Sequence, residues 1–81
     1  MTITIYTSNG WGPCHATKGW LNINGYQFDE KNVSENMEYG KELMAMGYRS
    51  TPVIVIKHPF HDESIVGFNP NKLKDALNRL S

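Results

Sequence analysis

Four consecutive β-branched apolar residues at positions 53–56, Val-Ile-Val-Ile, constrain the fold of this chain more than any other segment. A strand alternates its side chains between the two faces of a sheet, so a continuous apolar run indicates burial on both faces. With 81 residues, the chain is long enough for one small domain. We therefore predict a single domain over residues 1–81, in which helices cover both faces of a central strand.

The remaining elements are predicted from hydrophobic spacing, turn residues and helix-capping signals. Strands are expected at 2–7, at 26–28 and at 53–56, and a fourth strand ends at 65–66 after a polar loop over 57–64. Helices are expected over 13–23, from Asn32 or Ser34 to Gly47, and from Asn69-Pro70 onwards. This β-α-β-α-β-β-α order predicts the α/β class, with a mixed four-stranded sheet flanked by helices.

Each predicted helix carries apolar residues at helical spacing. The expected core-facing residues are Ala16, Trp20 and Ile23 in the first helix, Val33, Met37 and Met44, with Leu43 beside them, in the second, and Leu73, Ala76, Leu77 and Leu80 in the third. The methionines, including Met46, are interpreted as gap-filling core residues, and a methionine-rich binding face is the alternative.

Charge and composition exclude several classes of function. Eight basic and eight acidic residues cancel, which argues against binding to a nucleic acid backbone. No apolar run approaches the roughly 20 residues of a membrane span. A single cysteine and the lack of a signal-peptide pattern after Met1 indicate a cytoplasmic protein, which we expect to be a monomer.

That cysteine ends the motif Trp11-Gly12-Pro13-Cys14, between the first strand and the first helix. A helix N-terminus favours a reactive thiolate, whereas burial against the sheet leaves a thiol inert, and the sequence leaves both outcomes open. Disulfide exchange also needs a second thiol to resolve the mixed disulfide. We therefore expect weak or absent exchange activity.

The motif and its surroundings resemble the glutaredoxin family in its minimal thioredoxin-fold form, and most closely the NrdH-redoxins. The resemblance is carried by residues 3–7, 14–18, Leu21, 47–48, 51–53 and 67–70. It implies that Cys14 is the resolving thiol of a Cys-x-x-Cys motif whose attacking cysteine is either replaced by Trp11 or, in an alignment with the Trp-Cys-Gly-Pro-Cys motif of thioredoxins, deleted. It also implies a cis-proline at Thr51-Pro52 and a partner groove bordered by Gly67 and Phe68.

The family resemblance further implies thiol-disulfide electron transfer in cell redox homeostasis, with no tightly bound cofactor. Electrons would come from glutathione or from an NADPH-dependent enzyme such as thioredoxin reductase, and pass to protein disulfides such as those of ribonucleotide reductase. Two alternatives stay open. The chain is a redox-inactive binding module that docks partner strands near Pro52, or Trp11 is an engineered replacement of a native cysteine.

The histidines suggest two further chemistries. His15 follows Cys14 directly, but adjacent helix positions point in different directions, so a catalytic dyad is not expected. His58 and His61 bracket the predicted loop and, with Asp62, suggest a metal site. Because such residues in a flexible loop are usually solvated, we expect no metal site.

Overall fold

The central strand is covered on both faces, as its sequence predicts. The computed structural model describes residues 1–10 and 12–80, with the side chain of Leu80 not described, so Trp11 of the predicted redox turn and Ser81 lie outside the described residues. The elements are β1 Thr2–Thr7, α1 Gly12–Ile23, β2 Asp29–Asn32, α2 Met37–Ala45, β3 Val53–His58, β4 His61–Val66 and α3 Pro70–Leu80.

The four strands form one mixed sheet in the order β2-β1-β3-β4. β1 pairs with β2 in parallel and with β3 antiparallel, and β3 and β4 form an antiparallel hairpin. Ile54 and Ile56 face a core that includes Leu21 of α1 and Leu73 of α3. On the other face, a smaller core joins Tyr6, Val53 and Val55 to Leu43 of α2. The predicted fold class is confirmed.

Helix α3 follows its prediction closely. The Asn69 side chain accepts a hydrogen bond from the Lys72 amide at 3.1 Å, which is the expected N-cap interaction. Leu73, Ala76 and Leu77 are all buried. The side chain of Leu80, the fourth predicted core residue, is not described.

The predicted core face of α1 is wrong. The buried residues of this helix are Cys14, Thr17 and Leu21, whereas Ile23 is 86% exposed. The Trp20 ring is stacked on Tyr26 at the margin of the core, with ring centroids 6.4 Å apart. The helix is therefore rotated so that the cysteine-bearing face, and not the more apolar one, packs against the sheet.

The second strand lies three residues later than predicted. Asp29 to Asn32 pair with Thr4 to Thr7, whereas 26–28 belong to the connection before the strand. Tyr26 and Phe28 are instead partly buried aromatic residues at the edge of the larger core. Since β2 is an edge strand, its charged side chains reach solvent, and its sequence does not show the apolar alternation of a half-buried strand.

Helix α2 begins later than predicted, and its methionines are exposed. The N-cap is Asn36, whose side chain accepts from the Glu38 amide at 2.9 Å, and not Asn32 or Ser34. Met37 is 78% exposed and Met44 is 68% exposed, and Met46 is exposed as well. The interpretation of these methionines as core residues is wrong, because Leu43 is the residue through which this helix enters the core.

The segment 57–64 is a regular hairpin, not a polar loop. β3 extends to His58 and β4 starts at His61, so Pro59 and Phe60 form a two-residue turn. Among the described residues, no helix is long and apolar enough to cross a membrane.

Candidate functional site

Cys14 is buried at the first turn of α1. The helix starts at Gly12, with Pro13 in its first turn, directly after the loop that leaves β1. The cysteine is only 2% exposed, and it lies against a surface crevice of about 420 Å³ whose walls include Gly12 and His15. Three residues further along the helix, the Thr17 hydroxyl donates to the Pro13 carbonyl at 2.8 Å. The sequence leaves open whether this thiol is accessible or buried, and in the structure it is buried.

The Thr51-Pro52 peptide bond is cis, as the family resemblance implies. The hydroxyl groups of Ser8 and Thr51 share a hydrogen bond of 2.6 Å, in which either oxygen can donate. This bond connects the β1–α1 loop to the residue before the cis-proline. Ser8 was not singled out from the sequence, although it directly follows β1.

Gly67 reaches the same region from the other side. Its amide donates to the Pro52 carbonyl at 2.8 Å, and its φ of 81° lies in the left-handed region that glycine adopts without steric cost. The flanking residues Val66 and Phe68 are 50% and 40% exposed. The structure thus brings Thr51, Pro52 and Gly67 together next to an exposed apolar surface.

A second network, which sequence reasoning missed, lies beside the cysteine crevice. The buried Thr7 hydroxyl donates to Glu30 Oε2 at 2.6 Å, and Lys18 Nζ donates to the same oxygen at 3.0 Å. The hydrogen bond from Thr7 is the main reason why the pKa of Glu30 is lowered; the bond from Lys18 adds to it, and partial burial opposes it. The network joins β1, β2 and α1 at the carboxyl ends of the two parallel strands.

The loop after β1 is also fixed by asparagine and serine side chains. Asn32 Nδ2 donates to Asn9 Oδ1 at 2.8 Å, and the Asn9 amide donates to Ser34 Oγ at 3.0 Å. The Ser34 amide in turn donates to Asn32 Oδ1 at 2.9 Å. Polar residues after two parallel strands are a recognisable signal, but the misplaced second strand concealed it.

On the opposite face of the sheet, a buried tyrosine attaches α2. The Tyr6 hydroxyl donates to Glu42 Oε1 at 2.9 Å, and Lys31 Nζ donates to the same oxygen at 2.7 Å. Burial, with a smaller contribution from Glu42, raises the pKa of Tyr6. The Lys31 ammonium group also lies 5.6 Å from the centre of the Tyr6 ring. These contacts supplement the small apolar contact that Leu43 makes.

The site has the chemistry of one thiol. With a single cysteine in the sequence, the chain cannot close an internal disulfide. Within residues 1–10 and 12–80, no group of three or more histidine, cysteine or carboxylate side chains is arranged to hold a metal ion. A mixed disulfide with another molecule is the covalent redox product available to Cys14.

Known proteins are similar to this chain in sequence and in fold. The glutaredoxin family model matches residues 3–60. The glutaredoxin-like protein NrdH of Escherichia coli K12 is 40% identical over 80 residues, covering 99% of this chain and 89% of that protein. NrdH of Lactococcus lactis is 34% identical over 71 residues, covering 88% of this chain and 93% of that protein. The solved structure of the E. coli NrdH-redoxin aligns with a TM-score of 0.77 and 40% identity, and the alignment covers 100% of this chain and 96% of that one.

The chain therefore belongs to the glutaredoxin family, and the predicted similarity to NrdH-redoxins is confirmed. The matched family segment contains Cys14, Thr51 and Pro52, while the NrdH relatives extend the similarity over nearly the whole chain. The chain has one cysteine in all, and it carries tryptophan at position 11.

Proposed function

We propose that this chain is an NrdH-type redoxin that keeps the partner groove of thiol-disulfide electron transfer but exchanges disulfides poorly. The observation that carries the proposal is the burial of its only thiol, Cys14, in the first turn of α1. Family membership supports the redox class, and the single cysteine supports the impairment.

Exchange begins when a thiolate attacks one sulfur of a partner disulfide. A mixed disulfide forms and the other partner sulfur leaves as a thiolate. The second thiol of a Cys-x-x-Cys motif then attacks the mixed disulfide, which closes an internal disulfide and frees the reduced partner. Here a thiol that is 2% exposed has to make the first attack, and an external thiol such as glutathione has to complete the second.

The groove is proposed to hold an extended, cysteine-containing segment of a partner protein. Such a segment can pair with backbone at Thr51 by strand addition, while the exposed side chains of Val66 and Phe68 contact its apolar residues. Oxidised protein thiols, including those of a ribonucleotide reductase, fit this role. The E. coli relative is described as having a thioredoxin-like activity profile, which favours an NADPH-dependent reductase over glutathione as the electron source.

The proposal is tested with disulfide reduction assays, run once with glutathione and once with thioredoxin reductase and NADPH. We expect little turnover by the natural sequence and clear turnover by Trp11→Cys, because that variant restores the attacking thiol. The double variant Trp11→Cys with Cys14→Ser is the matched control, since it has the attacker without the resolver. Turnover by the natural sequence equal to that of Trp11→Cys would contradict the proposed impairment.

The burial of Cys14 also favours a second candidate, a binding module without redox chemistry. This version predicts that Cys14→Ser binds thioredoxin reductase or a ribonucleotide reductase as tightly as the natural sequence, whereas Phe68→Ser binds more weakly. Isothermal titration calorimetry measures both affinities. Complete loss of binding in Cys14→Ser would count against a module that works without its thiol.

A further inference from the structure

The β3–β4 hairpin ends in a pair of histidines. His58 is the last residue of β3 and His61 is the first residue of β4, and the two are directly opposed across the strands. Directly opposed residues of an antiparallel pair project from the same face, with Cβ atoms roughly 4.5–5.5 Å apart. The expectation of no metal site assumed a flexible loop at this position. The two-residue turn instead places both histidines on the same face of a regular hairpin.

Both imidazoles are available to a ligand. Within the described part of the chain, neither His58 nor His61 makes a hydrogen bond or an ion pair, and His61 is exposed. The recorded contact of the pair is between the ring of His58 and that of Phe60, whose centroids are 6.3 Å apart with a tilt of 48°. Binding a ligand here therefore displaces no existing polar interaction.

We propose that His58 and His61 bind a divalent transition metal ion of the Zn²⁺, Ni²⁺ or Cu²⁺ class. Neutral imidazole nitrogen is a preferred ligand of these ions. Two imidazoles on opposed strand positions form a chelate, in which binding to the first makes binding to the second intramolecular. Water completes the coordination.

The neighbouring carboxylates do not add a third ligand. Asp62 follows His61 and so projects from the opposite face of the hairpin. Glu63 lies on the same face two pairs further along, but its Oε1 is bound to the Arg79 guanidinium group and its Oε2 is buried. A site with two protein ligands agrees with the lack, among the described residues, of any group of three potential ligands.

The proposed metal site is separate from the cysteine site. β3 starts directly after Pro52 and runs to His58, so the pair lies about six residues, or roughly 20 Å, from the cis-proline. Metal binding and disulfide exchange can therefore be measured independently, and failure of one proposal leaves the other standing.

The experiment is titration of the untagged, full-length protein with Zn²⁺ and with Ni²⁺, followed by calorimetry and by ¹H–¹⁵N spectra. We expect saturable binding of one ion per chain, with shifts confined to the hairpin residues. His58→Gln and His61→Gln should each weaken binding at least about tenfold, because each removes the chelate.

His15→Gln and Cys14→Ser are the matched controls, because they remove the remaining histidine and the only thiol. Both should bind metal as the natural sequence does. Loss of binding in either control, or full binding by His58→Gln and His61→Gln with unchanged backbone spectra, would assign the metal elsewhere and overturn the proposal. So would the absence of saturable binding below about 1 mM free metal.

Discussion

Replacement of Thr7 by valine tests the network that connects β1, β2 and α1 beside the cysteine crevice. Thr7 is 1% exposed, and its hydroxyl donates to Glu30 Oε2 at 2.6 Å. Valine keeps the branched shape of threonine and removes the donor. The variant therefore isolates the hydrogen bond from the packing around it.

The expected loss follows from the charge and the exposure of the acceptor. Hydrogen bonds to charged groups contribute about 1.5–3 kcal/mol to stability. The side chain of Glu30 is 32% exposed, so water and the remaining ion pair with Lys18 compensate for part of the loss. We expect Thr7→Val to lower the free energy of unfolding by about 1–2 kcal/mol at neutral pH.

The pH dependence of this loss has a definite sign. Folding lowers the pKa of Glu30, mainly through the hydrogen bond from Thr7. The ionised Glu30 carboxylate therefore stabilises the fold fully at any pH above the pKa that Glu30 has in the unfolded chain. That effect disappears as the pH falls through the lower pKa of the folded state. The difference between the natural sequence and Thr7→Val should therefore be largest near about pH 7 and shrink towards about pH 3.

Urea unfolding at several pH values measures this difference. Glu30→Gln is the control, and adding Thr7→Val to it should cost much less than Thr7→Val costs alone, because the charged acceptor is already gone. Equal stability of Thr7→Val and the natural sequence at neutral pH would refute the reasoning. So would a loss that is the same in acid.

Four further variants test stability and are checked by urea unfolding. Leu73→Ala, in the larger core, should cost about 2–5 kcal/mol, and a smaller loss would show that the core closes around the cavity. Gly67→Ala should cost about 1–2 kcal/mol because of its positive φ, whereas the helical Gly19→Ala should gain about 0.5–1 kcal/mol. Met44→Gln should change stability by less than about 0.5 kcal/mol, and a larger loss would restore its interpretation as a core residue.

The elements predicted correctly are those whose sequence pattern reports burial directly. Residues 53–56 are apolar without interruption because both faces of β3 are covered. The residues of α3 have an N-cap and an apolar stripe that agree with each other. In both cases the local preference and the tertiary environment favour the same structure, so the sequence pattern is enough to predict the element.

The errors arise where packing, not local pattern, decides the structure. The segment 29–32 is charged because β2 is an edge strand, whereas 26–28 has the apolar alternation of a strand without its pairing. In α2, the spacing of Met37 and Met44 defines a face but does not say whether that face meets the sheet. Leu43 takes that place, and the methionines face solvent.

The site was predictable to the extent that single segments define it. The motif around Cys14 and the dipeptide Thr51-Pro52 were found from sequence because each lies in one stretch of chain. The bonds among Thr7, Lys18 and Glu30 depend on three elements and on the register of β1 with β2. No local pattern contains that register, so the network was missed.

The burial of Cys14 is compatible with a resolving role and incompatible with efficient attack on a partner. A resolving thiol has to reach a mixed disulfide three residues upstream, which needs only a local movement of the chain. An attacking thiol has to meet a disulfide that arrives from solvent, and a side chain that is 2% exposed offers little surface for that approach. The sequence holds no second cysteine, while hydrogen bonds join Ser8 to Thr51 and Gly67 to Pro52 around the cis-proline. Trp11→Cys adds one thiol and leaves the residues that make these hydrogen bonds unchanged. It therefore tests directly whether an attacking thiol is what this chain lacks.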